Sequence, residues 1–177
     1  MMELFARCFG VMTFSKSSFE GVAARPIEWH VILLSLVFGG LFAGRLVSEQ
    51  DALFFIVVGL ATGVGYVYAS GYFLAWLIRL GGTPVAPHAI RMVVGYALTP
   101  FILGLLSIVL GERHILPKMP AVNFILIVLT WALHIYGIKV VSRIQWIQAL
   151  FVSVIPILAL MMVIAILFKV AGMIYGY

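Results

Sequence analysis

ALFFIVVGLATGVGYVYASGYFLAWLI, residues 52–78, contains no charged side chain. A helix crossing a hydrocarbon core of about 30 Å needs roughly 20 apolar residues. This run exceeds that length, so its residues are read as a transmembrane helix. Further runs flank it. Trp29–Gly44 is charge-free and ends at Arg45, which can snorkel to the interface and extend the span to about residue 47. Met92–Gly111, Met119–Ile138 and Ile144–Phe168 complete the set. The expected fold is all-α: a polytopic bundle of five transmembrane helices at about 29–47, 52–78, 92–111, 119–138 and 144–168. The first span, the shortest, is the one expected to tilt or re-enter.

Composition agrees. The chain has 177 residues, of which 64% are hydrophobic and 10% charged. A soluble domain carries roughly 25% charged residues, so lipid is the solvent for most of this surface. The formal charge of +5 does not point to nucleic acid, because Lys and Arg stand singly between apolar runs. One cysteine, Cys8, excludes an intramolecular disulfide. Glu3 and Arg7 interrupt the first twelve residues, so the first span reads as an uncleaved anchor rather than a signal peptide.

Residues 1–28 form a separate N-terminal segment, followed by the membrane domain 29–177. Leu4, Phe5, Cys8, Phe9 and Met12 recur at helical spacing, which predicts an amphipathic helix in the interface or packed on the bundle. Ser15, Ser17 and Ser18 are placed to stop it and cap a second short helix ending at Pro26.

With the N-terminus in the cytoplasm, the inner segments hold Arg7, Lys16, Arg25, Arg79, Arg91, Lys139 and Arg143. The outer segments hold Arg45, Arg113, Lys118 and Lys169. Seven against four favours the N-terminus inside and the C-terminus outside. Trp29, Trp76 and Trp146 fall at the inner span ends, and Tyr175 and Tyr177 at the outer one.

No catalytic, metal or cofactor constellation is present in the sequence: no His-Glu-x-x-His, no paired cysteines, no P-loop and no Ser-His-acid set. No Asp or Glu lies inside a predicted span, which argues against a proton-coupled transporter. His134 is the ionisable group within a span. It reads as a neutral histidine bonded to a neighbouring helix, with a proton-responsive role as the alternative. His30, His88 and His114 are expected at solvated interfaces or in loops. Pro100 and Pro156 break the third and fifth spans, freeing the carbonyls of Tyr96 and Val152, with Thr99 and Ser153 adjacent to help satisfy them. A polar cavity between these kinked spans would reach Tyr96, Thr99, Thr130, His134, Ser153 and Pro156. Gly40 with Gly44, Gly59 with Gly63, and the Ser35–Gly39 extension offer close-packing surfaces within the bundle or for a homodimer or larger oligomer.

Gly81-Gly82, a polar turn and then Gly95-Tyr96-Ala97-Leu98-Thr99-Pro100 at a span start resemble the Yip family, the Ypt/Rab-interacting membrane proteins, in its short bacterial form. Phe14-Ser15-Lys16-Ser17-Ser18-Phe19-Glu20 before a Pro-bounded first span is similar as well. The resemblance implies five spans, a cytoplasmic N-terminus, a place in a bacterial inner membrane and a non-enzymatic role in membrane organisation or partner scaffolding. It also marks Gly81, Gly82, Gly95, Tyr96, Thr99 and Pro100 as a hinge or docking point for a protein partner. The eukaryotic relatives bind Rab GTPases and carry an acidic Asp-Leu-Tyr-Gly-Pro-type motif that this sequence lacks, so GTPase binding is not implied. A small transporter or channel-like protein, with its site between the third and fifth spans, is the alternative.

Overall fold

In the computed structural model, residues 2–44, 52–112 and 120–155 are described. Among them every regular element is a helix: α1 (Met2–Met12), α2 (Lys16–Ala24), α3 (Glu28–Gly44), α4 (Ala52–Leu80), α5 (Pro87–Ala97), α6 (Thr99–Glu112), α7 (Pro120–Ser142) and α8 (Trp146–Ile155). The connections 45–51 and 113–119, Pro156 and the rest of the fifth predicted span lie outside the described residues.

Two stretches are long and apolar enough to cross a membrane, Pro87–Ile108 and Pro120–Ser142. A third qualifies if the bent pair of α2 and α3 is taken as one span. The protein is therefore membrane-embedded by its helices. On α7, Phe124, Ile125, Val128 and Trp131 face outward, a surface that suits acyl chains and not water.

Turn chemistry fixes the chain's path. At the end of α1 the Ser15 N–H donates to the Gly10 carbonyl and the Phe14 N–H to Val11, with Phe14 in the left-handed region at φ 55°. This Schellman pattern satisfies two end carbonyls. Ser15 then caps α2, its Oγ accepting from the Ser18 N–H at 3.3 Å. The helix break before α3 turns the chain by 109°. Gly82, at φ +83°, ends α4 in the same Schellman way, with Thr83 N–H on the Ile78 carbonyl. Arg79 Nε donates to the Val85 carbonyl at 2.9 Å and holds the turn against the helix end.

Three expectations are corrected. The third span does not begin at Met92: α5 starts at Pro87, whose ring suits a first helical position. Arg91 is thus inside the helix. A charge-free run is a poor guide there because Glu28 neutralises the guanidinium. Second, α1 is not a helix with one role per face. Leu4, Cys8 and Val11 are buried against the bundle, whereas Met2, Phe5 and Phe9 are 88%, 68% and 71% exposed. At 3.6 residues per turn these sets lie on adjoining flanks of one broad apolar arc, and only one flank meets protein. Third, of the expected small residues on α3 it is the Ser35–Gly39 part that meets α4 closely, and Gly40 does not. A Cβ on Gly39 would lie 2.0 Å from the Gly59 carbonyl oxygen, and one on Gly63 2.1 Å from that of Ser35, whereas one on Gly40 would meet only ordinary contact with Leu60. These glycines join α3 to α4 inside one chain, so they no longer argue for an oligomer.

At the centre stands α5. It touches α1, α2, α3, α4, α6 and α7, and every residue from Ala89 to Ala97 is buried. Gly71, Gly95 and Gly137 give it room: Cβ atoms there would collide with Arg91, Val31, and Phe19 with Val93, respectively.

Candidate functional site

A polar cluster joins the starts of α3 and α5 to the middle of α4. Arg91 Nη2 donates to Glu28 Oε1, and the Tyr68 hydroxyl donates to Glu28 Oε2 at 3.2 Å. The guanidinium also stacks over the Tyr68 ring, 4.4 Å from its centroid. The Arg91 side chain is 10% exposed and that of Glu28 41%. The pair is asymmetric: the cation depends on its partner, and the carboxylate retains access to solvent. Arg91 Nε is buried without an acceptor among the described residues. This network fixes three helices in register, through an ion pair whose buried half is expensive to orphan.

Beside it, His30 Nδ1 and the Tyr96 hydroxyl share a hydrogen bond of 2.6 Å, both side chains fully buried. The expectation that His30 is a solvated interfacial histidine is overturned, because α5 packs on α3 and Tyr96 meets the imidazole, with Arg7 and Glu3 of α1 nearby. Arg7 pairs with Glu3 at 2.9 Å and donates from Nη1 to the Arg25 carbonyl at 2.8 Å. It lies close enough to act electrostatically on both His30 and Tyr96. Burial pushes the Cys8 thiol of α1 up from its ordinary value, with Thr99 beside it pulling the other way. A protonated, covered thiol is a poor nucleophile.

The break between α5 and α6 falls at Leu98. Pro100 has no N–H for the Tyr96 carbonyl, and Thr99 Oγ1 supplies the missing donor at 2.7 Å, as its place in the sequence suggested. The Leu98 N–H reaches the same carbonyl. Tyr96 is therefore held at its hydroxyl by α3 and at its carbonyl by the kink.

The other hydroxyls of the expected polar cavity are spent on their own helices. Thr130 Oγ1 donates to the Leu126 carbonyl at 2.9 Å and Ser153 Oγ to that of Ala149 at 2.7 Å. Ser153 does not serve Val152, and Pro156 lies outside the described residues. His134 sits part-buried on α7 with no hydrogen-bond partner among the described residues. Gly81 and Gly82 form the α4 terminus, on the far side of Arg91 from Pro100 in the chain.

Sequence reasoning missed Glu28, His30, Tyr68 and Arg91. A signal did exist: Glu28-Trp29-His30 puts two ionisable groups at the head of an apolar run. Their partners, however, stand 40, 63 and 66 positions away.

Beside the C-terminal half of α7, an open groove of about 360 Å³ is lined by Phe14, Ala132, Ile135, Trp146, Ile147 and Leu150. Its lining is apolar. Lys139 Nζ stands 4.4 Å from the centroid of the Trp146 ring. Phe14 and Trp146 both pack on Tyr136, at 5.6 and 5.7 Å between ring centroids. Among the described residues no three His, Cys, Asp or Glu side chains gather as a metal site would require.

No protein-family model, no curated protein and no solved structure matches this chain.

Proposed function

We propose that the chain is a non-enzymatic, five-span membrane protein of the Yip type that organises or bends the bilayer in which it sits. One observation carries the reading: α1 buries Leu4, Cys8 and Val11 against the bundle and leaves Met2, Phe5 and Phe9 open. A docked helix with a free apolar flank lies in the headgroup layer as a wedge, since water does not favour such a flank and lipid does. The 109° bend between α2 and α3 supports an N-terminal segment that α2 sets across α3 instead of continuing it. In this reading the first 28 residues face the cytoplasm of a bacterial inner membrane and the C-terminus lies outside. The Leu98 break is the docking point for any protein partner, and assembly into an oligomer uses a surface other than the glycines.

The transport alternative needs a lining other than Thr130 and Ser153, whose hydroxyls are occupied within their own helices.

The test reconstitutes the full chain into vesicles and follows their size and shape by cryo-microscopy. Wild type should produce smaller or tubulated vesicles; Phe5→Gln/Phe9→Gln, which alters only exposed side chains, should leave them like protein-free ones. Unaltered vesicles with wild type, or equal remodelling by both proteins, would refute the wedge. Topology has its own check. A reporter active only in the cytoplasm should work when fused after Arg143 and be silent after Tyr177; equal activity at both would mean the span count is wrong.

A further inference from the structure

The groove beside Phe14 has the polarity of an amphiphile. Ala132 and Leu150 lie at one end of it. Ile135 and Trp146 lie at the other, next to the turn between α7 and α8. Lys139, in the last turn of α7, and Arg143, just after it, flank that connection, and among the described residues no acidic side chain pairs with either. Arg143 is exposed, in the left-handed position that ends α7. Lys139 rests on the Trp146 ring, which holds its ammonium at the groove mouth without neutralising it. The C-terminus of α7 and the N-terminus of α8 meet in this turn with opposed dipoles. The two side-chain charges therefore dominate the local field.

From this arrangement we infer that the groove is a binding site for a phospholipid with an anionic headgroup. One acyl chain lies along Ile135, Ala132, Ile147 and Leu150, against Phe14. The phosphate stands at Lys139 and Arg143. A volume of about 360 Å³ falls in the range of roughly 300–1,000 Å³ typical of ligand sites. The open side admits a lipid laterally from the bilayer, and Trp146 sits at the level where indoles meet headgroups. The site requires only that the chain is embedded in a membrane. It stands whether or not α1 acts as a wedge.

The test uses the full chain with Trp29, Trp76 and Trp131 replaced by Phe, so that Trp146 alone fluoresces. Two sets of phosphatidylcholine vesicles carry equal mole fractions of a bromine-labelled lipid, either phosphatidylglycerol or phosphatidylcholine. Brominated phosphatidylglycerol should occupy the site more readily, by about fivefold for each cation it meets. Lys139→Gln/Arg143→Gln should erase that preference. Ala132→Phe, which fills the groove and keeps both charges, should reduce quenching by the anionic lipid to the level of the neutral one. Equal quenching by the two lipids in the otherwise wild-type chain overturns the inference, as does a preference that survives either variant. Should the double variant fail to reconstitute, the comparison of lipids and the Ala132→Phe variant decide the matter.

Discussion

His30 at the head of α3 and Tyr96 near the end of α5 are joined by a hydrogen bond of 2.6 Å, although 66 positions separate them. Both are buried, so each is the other's substitute for water. Tyr96→Phe should cost about 1–3 kcal/mol, because it strands an imidazole nitrogen in the interior. His30→Leu/Tyr96→Phe together should cost less than the sum of the single changes, with a coupling of roughly 0.5–3 kcal/mol. Unfolding of the detergent-solubilised protein by SDS titration measures all three; strict additivity would show that the bond contributes nothing.

The Glu28–Arg91 pair should respond unequally to the loss of either partner. Glu28→Gln leaves a buried guanidinium without its counter-charge and should cost roughly 3 kcal/mol, the low end for a broken buried pair, because the lost carboxylate was itself partly hydrated. Arg91→Met leaves a carboxylate that can return to solvent and should cost less. The same titration checks the order, and a milder effect of Glu28→Gln than of Arg91→Met would contradict the burial argument.

At the break in the third predicted span, Thr99 stands in for the donor that Pro100 lacks. Thr99→Val should therefore cost about 0.5–1.5 kcal/mol, a modest figure because the Leu98 N–H still reaches the Tyr96 carbonyl. In a Pro100→Ala background the restored N–H should make Thr99→Val nearly neutral. If Pro100→Ala straightens the span and remodelling of vesicles is unchanged, the break is a bend and not a hinge.

Cys8 offers a pH-dependent reading of α1 docking. Burial raises its pKa above the ordinary 9.0, so the folded state holds its proton where the unfolded chain releases it. The stability this contributes is full below pH 9 and declines as pH rises through the folded value. Maleimide should accordingly label Cys8 slowly at pH 8 in the folded protein and rapidly in SDS. Comparable rates would mean that α1 is undocked.

Spacing along a single helix was readable in the sequence; rotation about its axis was not. The Ser15 cap, the Gly82 terminus and the service of Thr99 to Tyr96 are local, involving residues within a turn or so of each other, and the residue types alone announce them. The division of α1 into a buried and an open flank depends on where the bundle lies, which no i, i+4 pattern states. The choice of Gly39 over Gly40 is one step of about 100° around α3; the sequence offered both, and only the helix's rotation against α4 decides between them. Arg91 was hidden by the very rule that finds spans, since charges were taken as their ends. Glu28 and Arg91 cancel each other only in three dimensions.

The burial of α5 on every side has a consequence for the order of events during synthesis. The helix emerges after α1 to α4, which supply most of its neighbours, but Val93 is covered in part where Gly137 of α7 comes up against Phe19. Until the ribosome has added those later residues, α5 has a side that is neither lipid-facing nor closed by protein, with Arg91 on the same short helix. The first four helices can therefore gather as they are made, whereas the central one must wait, held by Glu28, for a partner encoded some forty residues downstream.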